Sequence, residues 1–149
     1  MVMTRRQLLR IIDRSLIEKA IKRAERRTSG EIRVHIQPTT RAAEVRTVAE
    51  RTFVRLGMTK TDLRNGVLLF VACEEQRFVI LGDSGIDEKV PAGFWDDIAA
   101  RLTVRFKSGE YTDGIVDAIH SAGEELKHFF PREKHDRNEL TNDISVDHH

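Results

Sequence analysis

The fold is decided by residues 65–81, which read NGVLLFVACEEQRFVIL. The uninterrupted apolar run 67–72 is typical of a central strand that is covered on both faces. A short polar segment, 73–76, follows it, and a second strand is predicted over 77–81. Two strands joined by so short a polar segment form a hairpin. The stretch therefore predicts an antiparallel pair whose first strand lies inside a sheet.

Another strand and two helices are predicted on the N-terminal side of this hairpin. Residues 31–36, EIRVHI, alternate polar and apolar side chains, which is the pattern of a half-buried strand. Apolar residues recur every three or four positions over 5–27 and predict one long helix, which ends before Gly30. A second helix is predicted over 41–56. Because it connects strands 31–36 and 67–72, those two strands should be parallel.

Two more helices are predicted on the C-terminal side, over 91–107 and 112–129. The predicted order is α-β-α-β-β-α-α, and helices on both faces of a small mixed sheet make a three-layer α/β/α sandwich. We expect one α/β domain over residues 1–131. The remaining segment, 132–149, is polar and poorly periodic, and we expect it to be a flexible tail.

Composition narrows the class of protein. The chain has 149 residues, a formal net charge of +1 and a single cysteine. One cysteine excludes an intramolecular disulfide and a cysteine-rich metal site. No apolar run is long enough to span a bilayer, and residues 1–14 lack the apolar core of a signal peptide. We therefore expect a soluble, cytoplasmic protein without a transmembrane segment.

Four segments of the chain occur in the order of a known family. They are SGEIRV at 29–34, RNGVLLFV at 64–71, RFVILGDSGI at 77–86 and FKSGEYTDGI at 106–115. Together they resemble the TPM domain family over roughly residues 5–131. The resemblance implies an α/β/α sandwich. It does not imply one activity, because acid phosphatase activity is attributed to the plant branch and divalent-cation binding to some members.

Oxygen-bearing side chains gather at one edge of the predicted sheet. Two strands begin at this edge and the third ends there, because it runs antiparallel to its neighbour. Carboxylate and amide oxygens are the ligands that Ca²⁺ and Mg²⁺ prefer. The candidate cation ligands are Glu31, Asp62, Asn65, Asp83 and Asp87. The alternative is that residues 65–66 and 83–85 are turns, in which side-chain oxygens bind backbone amides.

The exposed face of the first helix is strongly basic. The candidate partner-binding residues on it are Arg10, Arg14 and Arg23. Such a face can be merely solvated, or it can bind an acidic protein or an anionic membrane surface. Nucleic acid is not expected, because no aromatic residues interleave with the basic ones and the net charge of the chain is near zero.

Motifs for catalysis are weak. Ser84 lies in GDSG at 82–85, which does not have the spacing of a nucleophile elbow. The acidic neighbours of Cys73 should raise the pKa of its thiol, so we do not expect it to be reactive. No glycine-rich phosphate-binding motif is present.

The sequence therefore favours a non-catalytic interaction module over an enzyme. Its pathway is unknown, and a role beside a membrane-associated or protein-maintenance system fits the resemblance. Two alternatives stay open. One is a divalent-metal-assisted, acid phosphatase-like enzyme at the acidic edge. The other is an adaptor that binds an anionic membrane or an acidic partner through the basic helix.

Overall fold

The structure is a computed structural model that describes residues 3–132 and 145–146. The flexible tail predicted over 132–149 falls largely on residues 133–144 and 147–149, which lie outside the described residues. Two residues of that segment, Ser145–Val146, form a short strand. The structure therefore places one part of the predicted tail in the sheet.

Within the described residues, the sheet has four strands in the order β3-β2-β1-β4. They are β1 (Glu31–Gln37), β2 (Gly66–Ala72), β3 (Arg77–Gly82) and β4 (Ser145–Val146). β1 runs parallel to both β2 and β4, whereas β2 and β3 form an antiparallel hairpin. The mixed sheet and the hairpin predicted from the sequence are confirmed, and β4 is an addition.

Helices cover both faces of this sheet. They are α1 (Arg5–Ile11), α2 (Arg14–Glu25), α3 (Val45–Arg55), the short α4 (Ser84–Asp87), α5 (Phe94–Lys107) and α6 (Tyr111–Phe129). α3 packs on one face, and α1, α2, α5 and α6 pack on the other. This arrangement confirms the three-layer α/β/α sandwich. No helix within the described residues has the length and apolar character to cross a membrane.

The prediction of one long helix over 5–27 is wrong, because this segment forms two helices. Ile12 is extended, with φ −80° and ψ 148°, and ends α1. Asp13 then caps α2, since its carboxylate accepts a hydrogen bond of 3.1 Å from the amide of Leu16. The buried positions accordingly step by five residues, from Ile12 to Ile17, instead of by three or four. Leu16, which the helical pattern placed in the core, is 49% exposed.

Two other helices begin later than predicted. α3 begins at Val45 because Arg41 and Ala42 have left-handed φ values of 52° and 67°, which a helix does not accommodate. Glu44 then caps α3 by accepting hydrogen bonds from two backbone amides. α5 begins at Phe94, after Gly93 with φ 80°. α4 lies between the predicted strand 77–81 and the predicted helix 91–107, where no helix was predicted.

β1 is buried on both faces, although its alternating sequence predicts a half-buried strand. Its apolar side chains pack towards α2, α5 and α6. Its polar positions Glu31, His35 and Gln37 are also buried, and the ring of His35 stacks on Phe70 at 5.5 Å. The reason is topological. β1 lies between β2 and β4, so it is an interior strand.

The end of α6 is hydrogen-bonded to the segment that precedes β1. The hydroxyl of Thr28 and the amide of Ser29 both donate hydrogen bonds to the carbonyl of Phe130. Arg132 donates its amide to the carbonyl of Arg27 at 3.2 Å. These bonds join residues about a hundred positions apart, and they fix the N-terminal end of β1 against the last helix.

Candidate functional site

Three of the five predicted cation ligands meet at one edge of the sheet. This N-terminal edge is where β1 and β2 begin and β3 ends. The amide of Glu31 donates to the carbonyl of Asn65 at 3.4 Å, and the amide of Asp83 donates to the carbonyl of Gly66 at 2.9 Å. Glu31, Asn65 and Asp83 are all buried. The strand directions predicted from the sequence therefore place these residues as expected.

The carboxylate of Asp83 is already engaged by protein groups. Arg64 binds it with two hydrogen bonds, of 2.7 and 2.8 Å, and the amide of Ser84 donates to it at 2.7 Å. Arg64 was not among the residues predicted from the sequence for this edge. Asp83 thus has the turn and capping role that was weighed as the alternative to cation binding.

The other predicted ligands differ in their surroundings. Asp87 accepts a hydrogen bond of 3.0 Å from the indole of Trp95, and Asp62 is exposed. The side-chain amide of Asn65 donates to the hydroxyl of Ser29 at 3.2 Å. Within residues 3–132, no three His, Cys, Asp or Glu side chains lie close enough together to hold a metal ion. The cation site therefore stays a prediction.

A buried carboxyl that the sequence analysis missed lies beside Glu31. Glu25, at the end of α2, accepts a hydrogen bond of 2.9 Å from the amide of Ile32. Burial and the neighbouring charge of Glu31 raise the pKa of Glu25 to about 9, so it keeps its proton at neutral pH. Its position was readable, because Glu25 follows Ile17 and Ile21 at intervals of four on the buried stripe of α2.

The predicted partner-binding residues, on α1 and α2, are all exposed. They are Arg10, Arg14 and Arg23, and we call the exposed sides of α1 and α2 that carry them the basic surface. The break between the helices adds a feature that the sequence pattern did not indicate. Ile11, the last residue of α1, and Leu16, in the first turn of α2, are each 49% exposed, and in the sequence they lie within two positions of Arg10 and Arg14.

Basic groups continue from α2 onto α6. A shallow cavity of about 140 Å³ between the two helices is lined by three such groups, Arg23, Arg27 and Lys127, together with His120 and Glu124. Arg27 is partly neutralised, since it forms an ion pair of 3.2 Å with Glu124. The helices approach closely here, because a Cβ on Gly123 would lie 2.9 Å from that of Ala24. Sequence reasoning missed the α6 residues, which are far away in the chain.

The surroundings of Cys73 keep its thiol protonated. It is buried at the end of β2, and burial raises its pKa to about 12. The charge of Arg5 opposes this rise, whereas Glu75 and Glu74 add to it. The thiol is therefore protonated at neutral pH, in line with the direction expected from its acidic neighbours, although burial is the larger cause.

Comparison with known proteins identifies the family. The model of the TPM domain family matches residues 2–125. The structure of BA42 from the psychrophilic bacterium Bizionia argentinensis is 41% identical and has a TM-score of 0.83. The match covers 92% of this chain and 96% of that one.

A second solved structure shows the same fold at lower identity. It is the N-terminal domain of a protein from P. gingivalis, with a TM-score of 0.66 and 19% identity. The match covers 83% of this chain and 78% of that one. No curated protein matches the chain. With the family model matching most of its length, the chain belongs to the TPM domain family.

Proposed function

We propose that this domain is an interaction module that binds an anionic membrane surface through the basic surface of α1 and α2. The observation that carries this proposal is the pair of exposed apolar side chains, Ile11 and Leu16, beside Arg10 and Arg14. Peripheral membrane binding combines shallow insertion of apolar side chains with attraction of basic residues to anionic lipids. Both elements are present at the α1–α2 junction.

The distribution of charge supports an oriented approach to such a surface. Residues 5–27 contain nine basic and three acidic side chains, although the whole chain has a net charge of only +1. The remaining residues therefore have a net negative charge, so the positive charge of the chain is concentrated in residues 5–27. Each basic residue near an anionic leaflet contributes about 1 kcal/mol of attraction. Glu25 does not offset this attraction at neutral pH, because it keeps its proton.

An acidic protein is the competing partner. It would account for the arginines of the basic surface by charge complementarity. It would not by itself account for two large apolar side chains that are half exposed to solvent beside those arginines. A lipid surface accepts both kinds of side chain without a matching pocket, and this favours the membrane.

Vesicle sedimentation tests the proposal. The protein is mixed with vesicles of phosphatidylcholine alone or with added phosphatidylserine, at low and at high salt. We expect binding that requires phosphatidylserine and weakens with salt. Replacing Arg10, Arg14 and Arg23 by Gln should weaken binding about a hundredfold, since each replacement removes about 1 kcal/mol.

Two further variants separate the outcomes. Replacing Arg51, Lys60 and Lys89 by Gln removes the same charge from exposed positions elsewhere and should leave binding within about twofold. Replacing Ile11 and Leu16 by Ser should weaken binding as strongly as the arginine variant. If the serine variant binds like the wild type, the basic surface attracts anions without inserting, and an acidic protein becomes the better partner. Failure of the wild type to bind either kind of vesicle would refute the proposal.

A second candidate function, a divalent-metal-assisted phosphatase, concerns the N-terminal edge. The observation in its favour is that Glu25 and Glu31 are buried side by side, next to Asn65. A bound Ca²⁺ or Mg²⁺ would stabilise both carboxylates in their charged form and release the proton from Glu25. Such an ion could then polarise a phosphoester.

Amide-shift titration of the metal-free protein with Ca²⁺ and then Mg²⁺ tests this candidate. We expect saturable shifts at Glu31, Asn65 and Asp83, and loss of those shifts in Glu31→Gln. Arg23→Gln serves as the control and should leave them unchanged. Hydrolysis of an added phosphoester should follow the same pattern and be abolished in Asp83→Ala. Flat shifts would leave this edge as turn structure.

A further inference from the structure

A cavity at the opposite, C-terminal edge of the sheet has no role in either function proposed above. Its volume is about 390 Å³, which is within the range of small-molecule sites. Val71 and Ala72, at the end of β2, are among its lining residues. Ligands of open α/β sheets bind at the carboxyl ends of the parallel strands, and β2 is parallel to β1. The cavity is thus at the place where this architecture ordinarily binds ligands.

Three half-buried aromatic rings form the main wall of the cavity. Phe78 and Phe106 meet edge to face at 4.5 Å between ring centroids, and Phe106 meets Tyr111 at 5.1 Å in the same way. Met3 extends this apolar wall. Edge-to-face contacts hold such rings in fixed orientations. The wall can therefore accommodate an aromatic or short alkyl group without rearrangement.

The polar groups of the cavity favour an anion. Lys107, at the end of α5, is the charged residue among the described residues that line it. Thr103 and Gln76 supply neutral polar groups. The Cys73 thiol adds no negative charge, because its pKa is raised to about 12.

The two acids of the β2–β3 turn do not line the cavity, and the charge of Arg5 opposes theirs at Cys73. Glu75 faces the loop that follows β1, since its carboxylate accepts hydrogen bonds of 2.7 Å from the hydroxyl of Thr39 and 3.0 Å from the amide of Thr40. Glu74 is exposed and is not among the residues that line the cavity. The mouth of the cavity is therefore positively charged at Lys107.

From this geometry we infer that the cavity binds a small monocarboxylic acid with an aromatic or short alkyl body. The body lies against Phe78, Phe106 and Tyr111, and the carboxylate meets the ammonium group of Lys107. The segment 106–115, which helped to identify the family, supplies three of these lining residues. The inference does not depend on membrane binding, because the basic surface and the cavity are formed by different residues.

The chain carries its own reporters for a test by NMR. Tyr111 is its single tyrosine and lines the cavity, whereas Trp95 is its single tryptophan and bonds Asp87 near the N-terminal edge. We would titrate the protein with 3-phenylpropionate, with hexanoate and with the neutral 3-phenylpropanamide. The acids should shift the Tyr111 ring signals saturably and leave the Trp95 indole unchanged. The amide should bind about fivefold more weakly, as expected for loss of an exposed ion pair.

An exposed lysine variant tests the ligand class without risk to the fold. Lys107→Gln should weaken the binding of 3-phenylpropionate about fivefold and leave that of the amide unchanged. The matched change Lys89→Gln, at an exposed position elsewhere, should leave both affinities unchanged. Equal affinity for acid and amide in the wild type, or no effect of Lys107→Gln, would contradict the anionic assignment.

Two other outcomes would overturn the inference altogether. The first is that neither acid produces saturable shifts of the Tyr111 ring. The second is that these signals move with protein concentration and not with added acid, which would assign the cavity to contact with a second copy of the chain.

Discussion

The two edges of the sheet differ in the contacts of their side chains, which are bonded to other protein groups at one edge and surround a cavity at the other. At the N-terminal edge, Asp83 is held by Arg64 and by a backbone amide, and Asn65 is bonded to Ser29. At the C-terminal edge, aromatic side chains surround a cavity of about 390 Å³. Two of the residues predicted from the sequence as cation ligands, Asp83 and Asn65, thus bond other parts of the fold. The open volume lies among residues that would be assigned to the core by their type.

The tightest point of the N-terminal edge should give the largest effect. The amide of Gly85 bonds the carbonyl of Arg64 at 2.7 Å, and an added Cβ would collide with the carbonyl oxygens of Leu63 and Arg64. Gly85→Ala should therefore lower the free energy of unfolding by about 3 kcal/mol or more, measured with urea. Ser84→Ala, at the exposed neighbouring position, should change it by less than about 0.5 kcal/mol. A small effect of Gly85→Ala would show that this edge is not closely packed.

The next effect tests whether Asp83 serves the structure. Asp83→Asn removes the charge that Arg64 and the amide of Ser84 bind, and should cost about 1–2 kcal/mol of unfolding free energy. The value is at the low end of what a buried pair gives, because the side chain of Arg64 is 48% exposed. Asp62→Asn, at an exposed position, is the matched control. Equal effects of the two changes would remove the contrast between the edges and leave Asp83 available for a cation.

A smaller, pH-dependent effect is expected from Glu25. Its pKa rises from 4.5 to about 9 on folding, so between these values the folded state holds a proton that the unfolded state has lost. Stability should therefore fall as pH rises, by about 1 kcal/mol or more between about pH 5 and about pH 8. Glu25→Gln should flatten this dependence in urea unfolding at the two pH values. An unchanged slope in Glu25→Gln would show that burial beside the charge of Glu31 does not raise the pKa of Glu25.

The cavity edge should tolerate change best. Thr103 lines the cavity and donates its hydroxyl to the carbonyl of Ala99 at 2.9 Å, a bond that adds little to a helix. Thr103→Ala should alter the unfolding free energy by no more than about 0.5 kcal/mol, because Ala also has the higher helix propensity. Thr52→Ala is the control, because the buried Thr52 makes the equivalent bond, to the carbonyl of Val48 at 2.8 Å. This change should lower the unfolding free energy by about 1 kcal/mol or more. Equal costs would mean that the cavity wall is packed like the core.

Local periodicity predicts the layers of this fold well. The hairpin, α5 and α6 are each encoded by contiguous apolar patterns, and the strand directions alone bring Glu31, Asn65 and Asp83 together. The break between α1 and α2 was also encoded locally, by the capping aspartate Asp13. A search for apolar residues at intervals of three and four does not detect such a capping residue.

Other features depend on neighbours distant in the chain. The burial of His35 follows from the position of β1 between two strands, one of them formed by residues 145–146. The partnership of Arg64 with Asp83 joins positions 19 residues apart. The cavity needs the end of β2, the end of α5 and the start of α6 at once. No local pattern contains this information, because each residue would be equally at home elsewhere in a core or on a surface.

The hydrogen bonds of Thr28 and Ser29 to the carbonyl of Phe130 affect the order in which the protein can fold during its synthesis. The entry to β1 is completed only by residues 130–132, which leave the ribosome after almost all of the domain. While translation proceeds, the first strand therefore lacks part of its final support, and the nascent chain depends on the sheet and its first helices to stay compact. A released chain that ends before Phe130 should be cleaved by proteases near Thr28, whereas a chain that extends past Arg132 should be protected at that point.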